Sequence, residues 1–372
     1  MRWGFDAKRL FHNYTGLGNY SRTLVSGLLA AHEEDEIVLY TPRFSSQTRT
    51  QLFEKHPRVH LRVGPRGGSL WRTWQIPTFW SGDQLNLYHG LSHELPRGGK
   101  QPQVRQVVTM HDLIFKHYPQ HYSSWDRFIY DRKWKHACQQ ADLVIAISEQ
   151  TKRDVLAHYP ITEDRIRVIY QPCDRQFQHM ASQQEKQALR EKYQLPAAFV
   201  LAVGALTERK NLLKALEAWM LLPADAQLPF LILGEGRAYR KKMEAFIQEK
   251  KLEHLVRFLP KMAWAEVPLL YQQASLLLYP SLFEGFGLPL LEALWSGTPV
   301  VSGQNSSLPE AGGPGSIYVD VRNPEAIAEA VQRGLGDEAL RKKMIAAGRA
   351  YARQFTSERM AREIRSAYLD LL

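Results

Sequence analysis

Short apolar runs alternate along this chain with longer stretches in which apolar residues recur every three to four positions. The first pattern reads as buried strand and the second as amphipathic helix. In the first half, strands are predicted at Trp3–Asp6, Glu36–Tyr40, Arg58–Val63, Asn86–His89, Val104–Met110, Leu143–Ile147 and Ile166–Ile169. Helical periodicity fills Asn19–Ala31, Ser124–Gln139 and Glu149–His158. The stretch 176–195 is polar and weakly patterned and reads as a linker. A second series begins at Phe199 with a strand over 199–206, then helix Leu212–Leu221, strand Phe230–Gly234 and helix Arg240–Lys250. It continues with strand Val256–Leu259, a helix from Ala265, strand Leu276–Tyr279, helix Leu288–Trp295 and strand Val300–Ser302. These strands are almost wholly apolar, as in a parallel sheet covered on both faces. Helical periodicity returns from Asp337 to the end of the chain. The alternation predicts α/β architecture, with one doubly wound domain over 1–175 and a second over 196–355, followed by a helix at 356–372. A site is expected at the carboxyl ends of the strands.

Length and composition fit that picture: 372 residues suffice for two domains, and 44% hydrophobic content can fill two cores. With only Cys138 and Cys173, a disulfide framework and a cysteine zinc site are both excluded as organising principles. The start, MRWGFDAKRL, lacks the apolar core of a signal peptide. The uncharged run from Val267 to Phe283 is broken by Pro268, Gln272, Gln273 and Pro280, so it makes a poor membrane span. A soluble, cytoplasmic protein is expected. The formal charge of +10 adds an anionic partner to the picture. Most of it lies in residues 1–175, which hold 24 Lys and Arg against 17 Asp and Glu. From Lys55 to Gly82 there are five cations and no acid, interleaved with Trp71, Trp74, Phe79 and Trp80. Arg66, Trp71, Arg72 and Trp74 suit a membrane interface or a lipid-linked acceptor. The same composition fits single-stranded nucleic acid, or a solvated basic face with its tryptophans in the core.

Three motifs carry candidate chemistry. In Thr15-Gly16-Leu17-Gly18-Asn19, Gly16 and Gly18 would let backbone approach an anion at a helix start; the absent third glycine disfavours a dinucleotide site. A second loop, Gly204-Ala205-Leu206-Thr207-Glu208-Arg209-Lys210-Asn211, puts Arg209 and Lys210 at a strand–helix junction, where a diphosphate would offset their opposition to the helix dipole. A solvated Arg-Lys pair is the plainer alternative. The third motif is Pro280-Ser281-Leu282-Phe283-Glu284-Gly285-Phe286-Gly287-Leu288-Pro289, with Glu292 eight residues after Glu284. A carboxylate among apolar neighbours needs hydrogen-bond donors, and sugar or ribose hydroxyls supply them. The amides of Phe286, Gly287 and Leu288 could meet a phosphate, while helix capping is the plainer role for Glu284.

Together, the Glu-x7-Glu pair in its GFGLP context, the Arg-Lys-Asn loop and the Gly-x-Gly loop resemble a retaining GT-B glycosyltransferase of glycosyltransferase family 4, group 1. The segments FDAKRL, TGLGNYSRTL, LYHGLSHELP, VVTMHDLIF, ADLVIAISEQTKRDV and RIRVIYQPCD are similar to that family's bacterial mannosyltransferase-like branch. The resemblance implies two Rossmann-like domains facing a cleft, with the last helix crossing back to the first domain. It implies that Glu292 binds the nucleotide ribose, that Glu284 contacts donor-sugar hydroxyls, and that Arg209 and Lys210 hold the diphosphate with backbone at Gly16, Gly18 and 286–288. Gly204 belongs to the same loop. His111 would sit beside the donor sugar, although read bare a lone histidine at a strand end is more often structural. The base would lie near Gly234, Lys261 and Met262. One departure is Ala205, where many relatives have arginine.

The chain contains no Asp-x-Asp, the metal-holding pair of GT-A enzymes. The resemblance therefore implies metal-independent transfer of a hexose, with mannose from GDP-mannose favoured over a UDP-linked donor. The acceptor would be a glycan or lipid-linked glycan of bacterial surface polysaccharide, at the inner face of the cytoplasmic membrane. Nucleic acid then drops out as a partner. Two alternatives share the fold: a sugar-nucleotide epimerase and a non-catalytic sugar-nucleotide-binding scaffold at the membrane.

Overall fold

The computed structural model describes residues 1–13, 15–44, 49–65, 70–98 and 101–372. They form two compact units: Met1–Pro172 with Phe355–Leu372, and Cys173–Gln354. Each is built on one wholly parallel sheet.

The first sheet comprises β1 (Arg2–Asp6), β2 (Glu36–Thr41), β3 (Val59–Val63), β4 (Leu87–Gly90), β5 (Arg105–Met110), β6 (Leu143–Ala146) and β7 (Ile166–Val168). Their order across the sheet is β3-β2-β1-β4-β5-β6-β7. The order reverses between β1 and β4, and their carboxyl ends open the crevice in which doubly wound sheets bind ligands. Helix α1 (Gly16–Ala31) follows β1, and α2 (Ser124–Gln140) lies between β5 and β6, its Ser123 cap accepting a hydrogen bond from the Asp126 amide. Both faces are covered, so β1, β2, β4, β5 and β6 are buried nearly throughout.

The second sheet comprises β8 (Val200–Val203), β9 (Phe230–Leu233), β10 (Val256–Phe258), β11 (Leu276–Tyr279), β12 (Val300–Gly303) and β13 (Ile317–Val319), in the order β10-β9-β8-β11-β12-β13. Its reversal falls between β8 and β11. The segment 176–195 is built into this unit instead of forming a linker. There Ser182 and Glu185 form a reciprocal capping box that starts α3 (Gln183–Tyr193), and Leu189 is its one buried residue. A helix anchored by one apolar residue leaves almost no periodic signal, which is why polarity alone misreads it. Helix α4 (Leu288–Ser296) follows β11, and helices Pro324–Gly336 and Glu338–Ala352 complete the unit.

The last helix, α5 (Ser357–Leu369), belongs to the first unit. It packs on α1, with Ala361 beside Gly27. Its Arg365 guanidinium bonds Asp35 at 2.7 Å and Glu34 at 2.6 Å, and the Tyr368 ring lies 5.2 Å from Trp3. Among the described residues, no helix is long and apolar enough to cross a membrane.

Candidate active site

At the reversal point of the second sheet, the loops after β8 and β11 bring opposite charges together. Glu284 is 9% exposed, and its Oε1 lies 2.5 Å from the Lys210 ammonium and 2.7 Å from the Arg209 guanidinium. The Ser281 hydroxyl donates to the same oxygen at 2.5 Å and the Tyr279 hydroxyl at 3.2 Å. Burial alone would raise the Glu284 pKa, but Lys210 and Arg209 outweigh it and bring it down to about 2. Lys210 also donates to Tyr279, and its pKa is lowered, chiefly by burial. Arg209 donates to the Phe283 carbonyl as well. Two cations share one carboxylate, so the cluster keeps one positive charge in excess at the mouth of the sheet. That is an arrangement suited to an anion.

The backbone around Glu284 is fixed by serines. Its amide donates to Ser306 at 3.1 Å, while the Ser307 hydroxyl contacts the Glu284 and Phe286 carbonyls at 2.9 and 2.8 Å. Gly287 has a φ of +117°, a conformation that favours glycine, and turns the chain into α4, where Pro289 has no amide hydrogen and the Leu290 amide donates to the Gly287 carbonyl at 2.9 Å. One helical turn farther, Glu292 is 8% exposed and accepts from the Tyr271 hydroxyl at 2.7 Å. Burial raises its pKa to about 7, with Asp174 adding to the shift and Tyr271 opposing it. Gly204 and Gly234 end neighbouring strands and lie back to back. Met262 is buried, and Lys261 is almost fully solvated, 3.9 Å from Glu235.

Of the second-unit residues singled out from the sequence, Arg209, Lys210, Glu284 and Glu292 come together in one cluster, with Phe286, Gly287 and Leu288 beside it, whereas Lys261 lies in solvent against Glu235. Sequence reasoning gave no role to Tyr271, Tyr279, Ser281, Ser306 or Ser307. Tyr279 and Ser281 flank the motif closely enough to have signalled themselves as partners of Glu284.

In the first unit, His111 follows β5 and is 5% exposed. Its Nε2 donates to the Leu91 carbonyl at 2.9 Å, and its amide donates to His93 Nε2 at 3.0 Å. His93 stacks on Trp134 at 4.1 Å, and the Tyr20 ring meets His111 edge-on at 4.7 Å. Burial lowers the His111 pKa to about 4, so the ring is neutral at physiological pH. Gly16 opens α1, but the Gly18 amide is taken by Asn13 Oδ1 at 3.1 Å and Thr15 O at 3.0 Å. A Cβ at Gly18 would sit 1.8 Å from the Asn13 carbonyl oxygen, so this glycine answers to packing and has no amide free for a phosphate.

The basic aromatic stretch does not form a single surface. Trp71 is 4% exposed and faces the core, and Trp80 is fully buried. Arg72 turns inward to Asp6 at the end of β1 and to Glu94, 3.6 Å away. Burial opposes its charge, yet those carboxylates raise its pKa. Neither Trp71 nor Arg72 can therefore lie on a membrane. Trp74 is exposed, and Arg66 lies outside the described residues.

Two family models match. Glycosyltransferase Family 4 covers residues 14–177 and Glycosyl transferases group 1 covers 184–351. The chain is 28% identical over 389 residues to O-antigen chain mannosyltransferase B of Escherichia coli, covering 99% of each. It is 23% identical to O-antigen chain mannosyltransferase RfbU of Salmonella typhimurium, covering 88% of this chain and 92% of that one. In fold it resembles Anabaena Alr3699/HepE in complex with UDP-glucose (TM-score 0.75, 18% identity, 100% of both chains). It also resembles WaaG, a glycosyltransferase involved in lipopolysaccharide biosynthesis (TM-score 0.72, 16% identity, 99% of both).

Proposed function

We propose that this chain, which belongs to the group 1 glycosyltransferases of family 4 and has their GT-B fold, transfers mannose from GDP-mannose to a lipid-linked glycan in O-antigen synthesis. The observation that carries the reading is the pairing of Arg209 and Lys210 with Glu284 at the reversal point of the second sheet. The relatives' mannosyltransferase names favour mannose over another hexose.

A nucleoside-diphosphate sugar presents a dianionic diphosphate and a neutral, hydroxyl-rich sugar. Arg209 and Lys210 would hold the diphosphate and neutralise the charge that grows on it as the bond to the anomeric carbon breaks. That role needs no divalent ion, so transfer is expected to persist in EDTA. Glu284, ionised throughout the physiological range, would accept hydrogen bonds from sugar hydroxyls, and Glu292 from the ribose. His111 takes the role beside the sugar that calls for a neutral ring. The acceptor oxygen bonds to the anomeric carbon on the face from which phosphate departs, and its proton passes to the departing phosphate oxygen. Configuration is therefore retained.

Incubation with labelled GDP-mannose, with and without lipid-linked acceptor, tests this. New label on the lipid is expected, and Glu284→Ala should reduce transfer by about a hundredfold or more. An altered free sugar nucleotide without acceptor would indicate epimerisation instead. Undiminished transfer by Glu284→Ala would remove the site assignment.

A further inference from the structure

We infer that Tyr279 and Ser281 are positioning residues for the donor sugar: their hydroxyls fix the Glu284 carboxylate so that one oxygen, Oε2, is presented to a sugar hydroxyl. This rests on the transferase reading above and deepens it. The bonds at Glu284 are lopsided. Oε1 meets four donors: the Lys210 ammonium and the Ser281 hydroxyl at 2.5 Å each, the Arg209 guanidinium at 2.7 Å and the Tyr279 hydroxyl at 3.2 Å. Among the described residues Oε2 accepts no hydrogen bond, and it keeps some contact with solvent. A carboxylate has about four acceptor positions shared between its two oxygens, so the protein crowds one oxygen and leaves the other bare. A bare carboxylate oxygen in a site otherwise closed to water calls for a donor from the ligand, and a hydroxyl-rich sugar is one.

The four donors cease to be equivalent when a diphosphate arrives. Arg209 and Lys210 are cations, and an anionic ligand competes with Glu284 for them. The two hydroxyls are neutral and have far less to gain from a phosphate. They are therefore the donors that hold Glu284 in place while the cations turn to the ligand.

Both are anchored for that task. Tyr279 ends β11 and is buried, and its carbonyl accepts from the Ser302 hydroxyl on β12 at 3.1 Å. Burial and the neighbouring Glu284 carboxylate raise its pKa, so the phenol keeps its proton. Its oxygen accepts from Lys210 and its proton goes to Glu284, which joins the cation that meets the phosphate to the carboxylate that meets the sugar. Ser281 is buried as well. The Arg209 and Phe283 carbonyls lie 3.3 and 3.4 Å from its hydroxyl, but the contact with the carboxylate is shorter and is the charged one. The backbone beside it is pinned by the Leu282 amide, which donates to the Arg209 carbonyl at 2.9 Å.

Calorimetric titration of the full chain with GDP and with GDP-mannose, in a double-mutant cycle with Glu284→Ala, tests this. In Tyr279→Phe/Ser281→Ala, GDP-mannose affinity is expected to fall by at least about tenfold and GDP affinity by less than about threefold, because GDP has no sugar for Oε2 to meet. In the Glu284→Ala background the same two changes should alter GDP-mannose affinity by less than about twofold, as for residues that act through Glu284. Retained GDP binding establishes that a variant is folded. Tyr279→Phe and Ser281→Ala made singly should each show part of the loss, and they carry the test if the double variant does not fold. Equal losses of GDP and GDP-mannose would assign the hydroxyls to the fold or to Lys210 alone. That result, no loss at all, or a full loss in the Glu284→Ala background would overturn the inference and leave mannose transfer standing. A parent chain that fails to bind GDP-mannose would sink the donor reading, and the inference with it.

Discussion

Two carboxylates eight residues apart, both about nine-tenths buried, are held in opposite states by their neighbours. Glu284 meets two cations and ionises near pH 2, whereas Glu292 meets a phenol and ionises near 7. For Glu292 this gives stability a definite pH dependence. Its ordinary value is near 4.5, so between 4.5 and 7 the folded chain holds a proton that the unfolded chain has released. Stability linked to this group is complete below the unfolded value and is lost as pH rises through 7. Glu292→Gln keeps a carbonyl oxygen for the Tyr271 hydroxyl and removes the titration. The difference in Tm between the variant and the parent chain should therefore widen in the variant's favour from about pH 5 to about pH 8. Thermal melts across that range check it, and a difference independent of pH would contradict it. None of this is visible in spacing alone. The Glu-x7-Glu pair marks both residues, but the state of each depends on Lys210, Arg209 and Tyr271, which the fold brings from other elements.

At the scale of elements, α5 closes the first unit through a buried polar chain. Tyr368 OH lies 2.6 Å from His89 Nδ1, His89 Nε2 lies 2.8 Å from Thr109 Oγ1, and Thr109 Oγ1 lies 3.0 Å from Tyr20 OH. Tyr20 in turn packs against His111. His89 is fully buried, and burial lowers its pKa to about 3, so both ring nitrogens must be satisfied as a neutral imidazole. Tyr368→Phe removes one partner and leaves a buried nitrogen bare, at a cost of about 1–3 kcal/mol in urea unfolding. A change below about 0.5 kcal/mol would mean that water replaces the hydroxyl. Strands such as β6 and β11 are legible in the sequence because burial on both faces makes them nearly unbroken apolar runs. The three residues of β13, only partly buried, carry no such contrast. Helix Pro324–Gly336 had a readable start in Asn323-Pro324, but alanines at 326, 328 and 330 blur its apolar face. Around Trp71–Gln75, composition marks basic and aromatic character but cannot tell which side faces in. The backbone turns Trp71 and Arg72 to the core and Trp74 to solvent.

For the whole molecule, the charge excess divides between the units in number and in kind. The first unit carries 26 Lys and Arg against 19 Asp and Glu, a net of +7, and the second carries 22 against 19, a net of +3. Much of the first unit's excess is solvated, as at the exposed Arg132 on α2, and acts through the aqueous field. Salt screens that field over about 8 Å at physiological strength and about 3 Å at 1 M. The cations of the second unit that matter to a diphosphate, Arg209 and Lys210, are largely buried and lock onto Glu284. Contacts made there are screened far less. Salt should therefore separate the two partners. Raising NaCl from about 50 mM to about 500 mM is expected to weaken binding to phosphatidylglycerol vesicles by about tenfold or more, while GDP or UDP affinity changes by less than about threefold. Vesicle sedimentation and nucleotide calorimetry over one salt series measure both. Parallel losses would mean that nucleotide is held by solvated charge, against the geometry around Glu284. Vesicle binding that ignores salt would mean that exposed aromatics such as Trp74, Trp125 and Phe128 supply the attachment and the +7 excess does not.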